Sequence, residues 1–294
     1  PVVADDGRPT VWMVLPPLQR TGLEYSKNEL ELIEATGALI AEGEPVLLTP
    51  ARSLLPLIGR SDPWSSILEE FGITVETGNV VFEWMPSASN EGDSTVVTYQ
   101  ELDTYPQEGR ALSGALRGKR LFLNHPTPIR IDAESSTDTF VVAQIEPSLL
   151  RFIEDDWRGN GTRITRMPEE SRFDDPQPAV VAIDDDGHRM LVVGSGGWLL
   201  SALVNDSGTL GGDRVVLRNP GNRELALSGV AWLAGMDDLV NTAASGREVA
   251  RFIGLTPGVR LFWGLLLPLV FGIGPLLAGG LVWFVRGRAK PKSM

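Results

Sequence analysis

Val11-Trp12-Met13-Val14-Leu15, closed by Pro16-Pro17, and Pro45-Val46-Leu47-Leu48-Thr49-Pro50 further along decide how this chain folds. Each is a continuous apolar run bounded by proline, which fits a strand buried on both faces. Between them lies Ser26-Lys27-Asn28-Glu29, a capping-box pattern, followed by Leu30, Ile33, Ala38 and Leu39 at roughly helical spacing and a stop at Gly43. Strand, helix and strand therefore follow one another within residues 11–50. The pattern continues with a short helix over Trp64 to Phe71, a stop at Gly72 and a strand at Ile73-Thr74-Val75. Such alternation predicts an α/β fold whose parallel sheet is built by right-handed crossovers.

Further on the pattern loosens. Residues 87–94 read as a polar loop, and 103–119 are rich in glycine, acids and bases. Strands are expected near Arg120–Leu123 and Thr139–Ala143, and the acidic, proline-bearing stretch 154–178 as an extended surface connection. Order returns at Ala179–Ile183 and Met190–Val193, two apolar runs around the turn Asp184-Asp185-Asp186-Gly187, which predict a hairpin. Asn219-Pro220-Gly221-Asn222 then leads into a helix over Arg223–Ala234, with Asn222 as N-cap, Gly235 as stop, and Leu225, Gly229, Trp232 and Leu233 facing the core.

From Leu261 to Val285 no residue is charged. About 20 apolar residues cross a bilayer core, so one C-terminal transmembrane helix is expected, with Trp263 and Trp283 as interfacial anchors. Pro268 and Pro275 are tolerated better in a membrane helix than in a soluble one. Gly264, Gly272, Gly274, Ala278, Gly279 and Gly280 offer a close-packing surface for another membrane helix. All 38 acids of the chain precede this span, whereas Arg286, Arg288, Lys290 and Lys292 follow it. The positive-inside rule then places the tail in the cytoplasm and the acidic body on the periplasmic or extracellular side of the inner membrane. The domain layout expected is 1–150 and 179–258 as two parts of an α/β ectodomain, 151–178 as the acidic connection, with 241–258 serving as stalk. Residues 259–286 then form the membrane helix and 287–294 the basic tail. The chain begins at Pro1 without a signal pattern, so an N-terminal targeting or anchor segment ahead of it is expected.

Composition narrows the chemistry. A net charge of −12 disfavours nucleic acid, whose phosphates need clustered Lys and Arg. With no cysteine there is no disulfide, thiolate metal site or cysteine nucleophile. The two histidines, His125 and His188, stand far apart without a surrounding catalytic motif, and the Asp184–Asp186 run lacks the alternating acids of a calcium loop. Gly194-Ser195-Gly196-Gly197, directly after the strand Leu191–Val193, is the candidate ligand-binding turn, since glycine-rich turns after strands can present backbone N–H groups to an anion. No cofactor or metal is expected.

Several segments together resemble the GldG-like family, the gliding-motility-associated auxiliary membrane proteins of ABC-type transport systems. They are Tyr25-Ser-Lys-Asn-Glu-Leu-Glu-Leu-Ile-Glu34, Glu42-Gly-Glu-Pro-Val-Leu-Leu-Thr-Pro50, Leu68-Glu-Glu-Phe-Gly-Ile73, Leu191-Val-Val-Gly194 and the run Gly221–Gly235 ahead of a terminal span. The resemblance implies a Rossmann-like ectodomain related to class I glutamine amidotransferase-like folds, and an ABC permease and ATPase as partners. The family pattern carries an acidic residue in the turn after Gly194, where this chain has Ser195 and Gly196. A non-enzymatic accessory subunit is the function expected. Its rivals are a cell-envelope module that binds glycan or polymer independently of a transporter, and a degenerate hydrolase working through His125 or His188.

Overall fold

Residues 11–50 fold as the expected strand–helix–strand unit, but only the second strand is buried on both faces: the first lies at the sheet edge, with Met13 44% exposed. β1 (Trp12–Val14), α1 (Lys27–Ala41) and β2 (Val46–Leu48) form a strand–helix–strand unit in which the two strands pair in parallel, Trp12 beside Val46 and Val14 beside Leu48. The Ser26 hydroxyl accepts a hydrogen bond from the Glu29 N–H at 3.3 Å and caps α1. At the other end Gly43 adopts φ +76°, and the N–H groups of Gly43 and Glu44 return to the carbonyls of Ile40 and Leu39 at 3.0 Å. Ser26→Ala should lower the unfolding free energy by about 1 kcal/mol in a urea titration. A change indistinguishable from zero would show the cap to be dispensable.

A computed structural model describes residues 10–86, 94–106, 110–135, 137–155, 157, 169–185, 187–209 and 215–240. These belong to the unit Pro1–Glu248, and a second unit, Val249–Met294, lies outside them. The expected span 261–285, with Trp263, Trp283, Arg286 and Arg288, therefore falls outside the described residues, as do most of the loop 87–94, the stalk and the tail. Among the described residues no helix is long and apolar enough to cross a membrane.

After β2 the chain runs through α2 (Pro63–Ser66), β3 (Ile73–Val75), β4 (Val80–Pro86), β5 (Ser94–Val97), β6 (Tyr99–Leu102) and α3 (Arg110–Leu116). Next come β7 (Leu121–Asn124), β8 (Ile129–Ile131), β9 (Thr139–Ile145) and β10 (Arg151–Glu154). The last described part holds β11 (Gln177–Asp185), β12 (His188–Val193), α4 (Ser201–Val204), β13 (Ser207–Thr209), β14 (Val215–Leu217) and α5 (Pro220–Leu233).

The central sheet has the order β1-β2-β12-β11-β9. β1, β2 and β12 are mutually parallel, and β11 and β9 continue the sheet antiparallel. This is a mixed α/β sheet that draws strands from both sides of the acidic connection. Side chains alternate between its faces. Val46, Leu48, Val181, Ile183, Met190 and Val192 pack with Ile33 and Ile40 of α1 on one side. Leu47, Val180, Ala182, Leu191 and Val193 pack with Leu112 and Leu116 of α3 and with Leu225, Trp232 and Leu233 of α5 on the other. Coverage on both faces is the physical reason the strands read as unbroken apolar runs.

Three further expectations are corrected. Ile73–Val75 does not join the parallel sheet; it pairs antiparallel with β8, Ile73 beside Ile131. Its pattern explains this, because Ile73 and Val75 are buried and Thr74 is exposed, a strand with one wet face. The place beside β2 belongs to β12. Nor is Asn222 the N-cap of the last helix: α5 starts at Pro220 with Asn219 ahead of it, and proline suits the first helical position, where its missing N–H is no loss. The hairpin β11–β12, the strands near 121 and 139, and the core-facing Leu225, Gly229, Trp232 and Leu233 are found as expected. On α1, by contrast, Leu30 is 49% exposed while Thr36 and Ile40 are buried, so the core face is rotated from the one expected.

At the N-terminal ends of the parallel strands the chain gathers several ties. The Trp12 indole donates to Glu44 at 3.2 Å. Arg189 donates to both carboxylate oxygens of Asp237 at 2.8 and 3.0 Å and to the Trp232 carbonyl at 2.7 Å, and it pairs with Asp184. His188 packs on Gly43, where an added Cβ would lie 2.6 Å from the imidazole Nε2.

Candidate functional site

The opposite edge of the sheet, where the parallel strands end, opens into a cleft of about 460 Å³ lined by Leu18, Gln19, Arg52, Asn124, His125 and Gly197. Each comes from the segment that follows a strand: Leu18 and Gln19 after β1, Arg52 after β2, Gly197 after β12, and Asn124 and His125 at the end of β7. In open α/β sheets ligands collect outside the carboxyl ends of the strands, because several loops meet there around ends of backbone that need partners.

Backbone pairing fixes the first two loops. Arg20 N–H donates to the Arg52 carbonyl at 2.9 Å, Leu54 N–H to the Arg20 carbonyl at 3.1 Å, and Ser53 N–H to the Thr77 carbonyl at 2.7 Å. The Arg52 side chain is 8% exposed. It donates through Nη2 to Gln19 Oε1, and its guanidinium carbon lies 5.0 Å from the centre of the Trp157 ring. Among the described residues its Nε and Nη1, both buried, meet no acceptor. Burial lowers its pKa to about 10, which still leaves it a cation at neutral pH.

His125 closes the other side. Its backbone sits in the left-handed region at φ +50°, a conformation uncommon outside glycine, and its N–H donates to the Thr98 carbonyl at 2.6 Å. The ring Nε2 is buried and has no partner among the described residues. His188, at the start of β12, is at the far end of the sheet, so the two histidines cannot act on one substrate.

The glycine-rich turn divides its tasks. The Gly194 carbonyl accepts from Thr127 N–H at 2.7 Å and from the Thr127 hydroxyl at 3.1 Å. Ser195 is fully buried and donates its hydroxyl to the Asn124 carbonyl at 2.8 Å. Gly196 lies against Ala51 and the Leu18 backbone, and only Gly197 lines the cleft. The turn thus holds the Asn124–Thr127 loop in place and contributes one residue to the cleft wall. Behind it, the Asn222 amide accepts from Phe122 N–H at 2.8 Å and donates to the carbonyls of Phe122 and Trp198 at 2.7 Å.

Arg52 escaped a motif-led reading because it belongs to no motif. Its signal was positional: a lone cation just past a proline-terminated apolar strand. The described lining holds no carboxylate, and among the described residues no group of three or more His, Asp or Glu is placed to hold a metal ion. The arrangement can bind and orient a ligand through a cation, two amides and an imidazole.

No protein-family model and no curated protein matches the chain. Among solved structures it is similar to one described as mmIFT52 N-terminal domain, at 11% identity and a TM-score of 0.43, with 76% of each chain covered.

Proposed function

We propose that this chain is a non-enzymatic accessory subunit of an ABC-type transport system, a Rossmann-like extracytoplasmic domain anchored by residues 261–285. The observation that carries the binding role is the cleft itself. Loops from four strands converge on it, and the groups they bring are a cation, amides and an imidazole, with no carboxylate in the described lining. The buried Ser195 hydroxyl is committed to the Asn124 carbonyl, and a chain without cysteine has no thiol to serve as nucleophile. The transporter assignment draws its support from the GldG-like order of segments from Tyr25 to Gly235 ahead of an uncharged 25-residue span with a cationic tail.

The test is purification of the full chain from its native membrane in mild detergent. A multi-span permease and an ATPase should accompany it in stoichiometric amounts. Recovery without them, or retention on peptidoglycan or polysaccharide instead, would replace this reading with that of an independent envelope-binding module.

A further inference from the structure

The charge environment of Arg52 names the class of ligand. The chain has 38 acids against 26 Lys and Arg, so a buried arginine has acceptors in surplus. Other arginines use them: Arg20 pairs with Glu29, Arg110 with Asp138, Arg130 with Glu76, Arg151 with Glu83, and Arg189 with Asp184 and Asp237. Arg52, less exposed than any of these, has Gln19 and the face of Trp157 instead. Both contacts orient a guanidinium, and neither neutralises it. A desolvated cation with two nitrogens lacking acceptors is unfavourable unless a counter-charge arrives. Across the same cleft stand the Asn124 amide and the His125 ring, whose left-handed backbone is held by the Thr98 carbonyl.

We infer that the cleft binds a small organic anion, its carboxylate or phosphate group paired with Arg52 and its apolar part against Leu18. A volume near 460 Å³ is larger than a bare inorganic ion requires and falls within the range of small-molecule sites. Leu18, half exposed at the rim, supplies the apolar wall. The inference deepens the binding role proposed above and rests on it only for the cleft being the functional site. Loss of the permease and ATPase on purification with anion binding intact would remove the transporter and leave the cleft.

The experiment uses the full chain in detergent and follows thermal unfolding at matched ionic strength in sodium chloride, sodium acetate and sodium phosphate. A ligand that binds only the folded state raises the midpoint as its concentration passes Kd. Acetate, phosphate or both should raise it above chloride by a few degrees at about 100 times Kd. Acetate alone assigns a carboxylate ligand, phosphate alone a phosphate ester, and both the shared oxyanion chemistry. Arg52→Met should abolish the response and leave the unliganded protein at least as stable as before, because an uncompensated buried charge has gone. Arg52→Lys keeps the charge in a different shape and should respond with affinity reduced about tenfold. No rise for the unaltered chain with either anion overturns the proposal. So does a rise that persists in Arg52→Met, or an Arg52→Lys protein that folds and does not respond while His188→Ala does.

Discussion

Asn222→Ala is expected to remove about 3–5 kcal/mol of stability, since three backbone groups, one buried and two part-buried, lose their partner at once and each unsatisfied group costs about 1–3 kcal/mol. The amide is fully buried. With one oxygen and one nitrogen it meets the Phe122 N–H and the Phe122 carbonyl, as a neighbouring strand would, and its nitrogen also reaches the Trp198 carbonyl. One side chain of α5 thereby ties β7, which ends at Asn124 just before His125, to the segment just after Gly197. Asn222→Asp should be no gentler. It keeps an acceptor for the Phe122 N–H but turns a charged oxygen toward two carbonyls. Equilibrium urea unfolding measures both. A loss below about 1 kcal/mol for Asn222→Ala would mean that water or a backbone shift satisfies the three groups.

Gly194→Ala is the second large effect. An added Cβ would stand 2.3 Å from the Thr127 carbonyl oxygen, 3.2 Å from its hydroxyl and 3.3 Å from Ile129 Cγ1. The nearest obstacle is backbone, so no side-chain rotation relieves it, and about 3 kcal/mol or more of overpacking is expected. The loop that must yield carries His125, so the cleft should lose its anion response together with stability. Gly114→Ala makes the same chemical change in α3 with nothing within 4 Å of the new methyl. It should be neutral or stabilise by up to about 1 kcal/mol through helix propensity. Equal losses for the two substitutions would show that close packing at Gly194 is not what matters there.

The layers of this domain were legible because burial on both faces writes itself as apolar runs. Val46-Leu47-Leu48 and Leu191-Val192-Val193 have little alternative to a central strand, and Ser26 with Glu29 announces where α1 starts. Asn222 was misread since an asparagine after a proline suits a cap as well as a tertiary strut; local pattern does not distinguish them. Ile73–Val75 looked like the next parallel strand, although its one exposed residue, Thr74, already fitted a strand with a wet face. The cleft was half legible. Residues 194–197 pointed to the right corner of the fold, but three of the four, Gly194, Ser195 and Gly196, are spent on packing and bracing. Arg52 and His125 come together only through long-range pairing: β12 from late in the chain sits beside β2 from its start, and the turn after β12 holds the Asn124–Thr127 loop. No local spacing encodes that neighbourhood.

The sheet also has a mechanical polarity. The described chain comes in at β1 and leaves past α5 on the same side, where Trp12 holds Glu44 and Arg189 clasps Asp237 and the Trp232 carbonyl. A pull applied through these two points is borne by the parallel pairing of β1 with β2 and by the Arg189 clasp. The loops that frame Arg52 and His125 lie beyond the far ends of those strands, away from both points. The two leads of the described chain thus lie at one end of the parallel strands and the recess at the other.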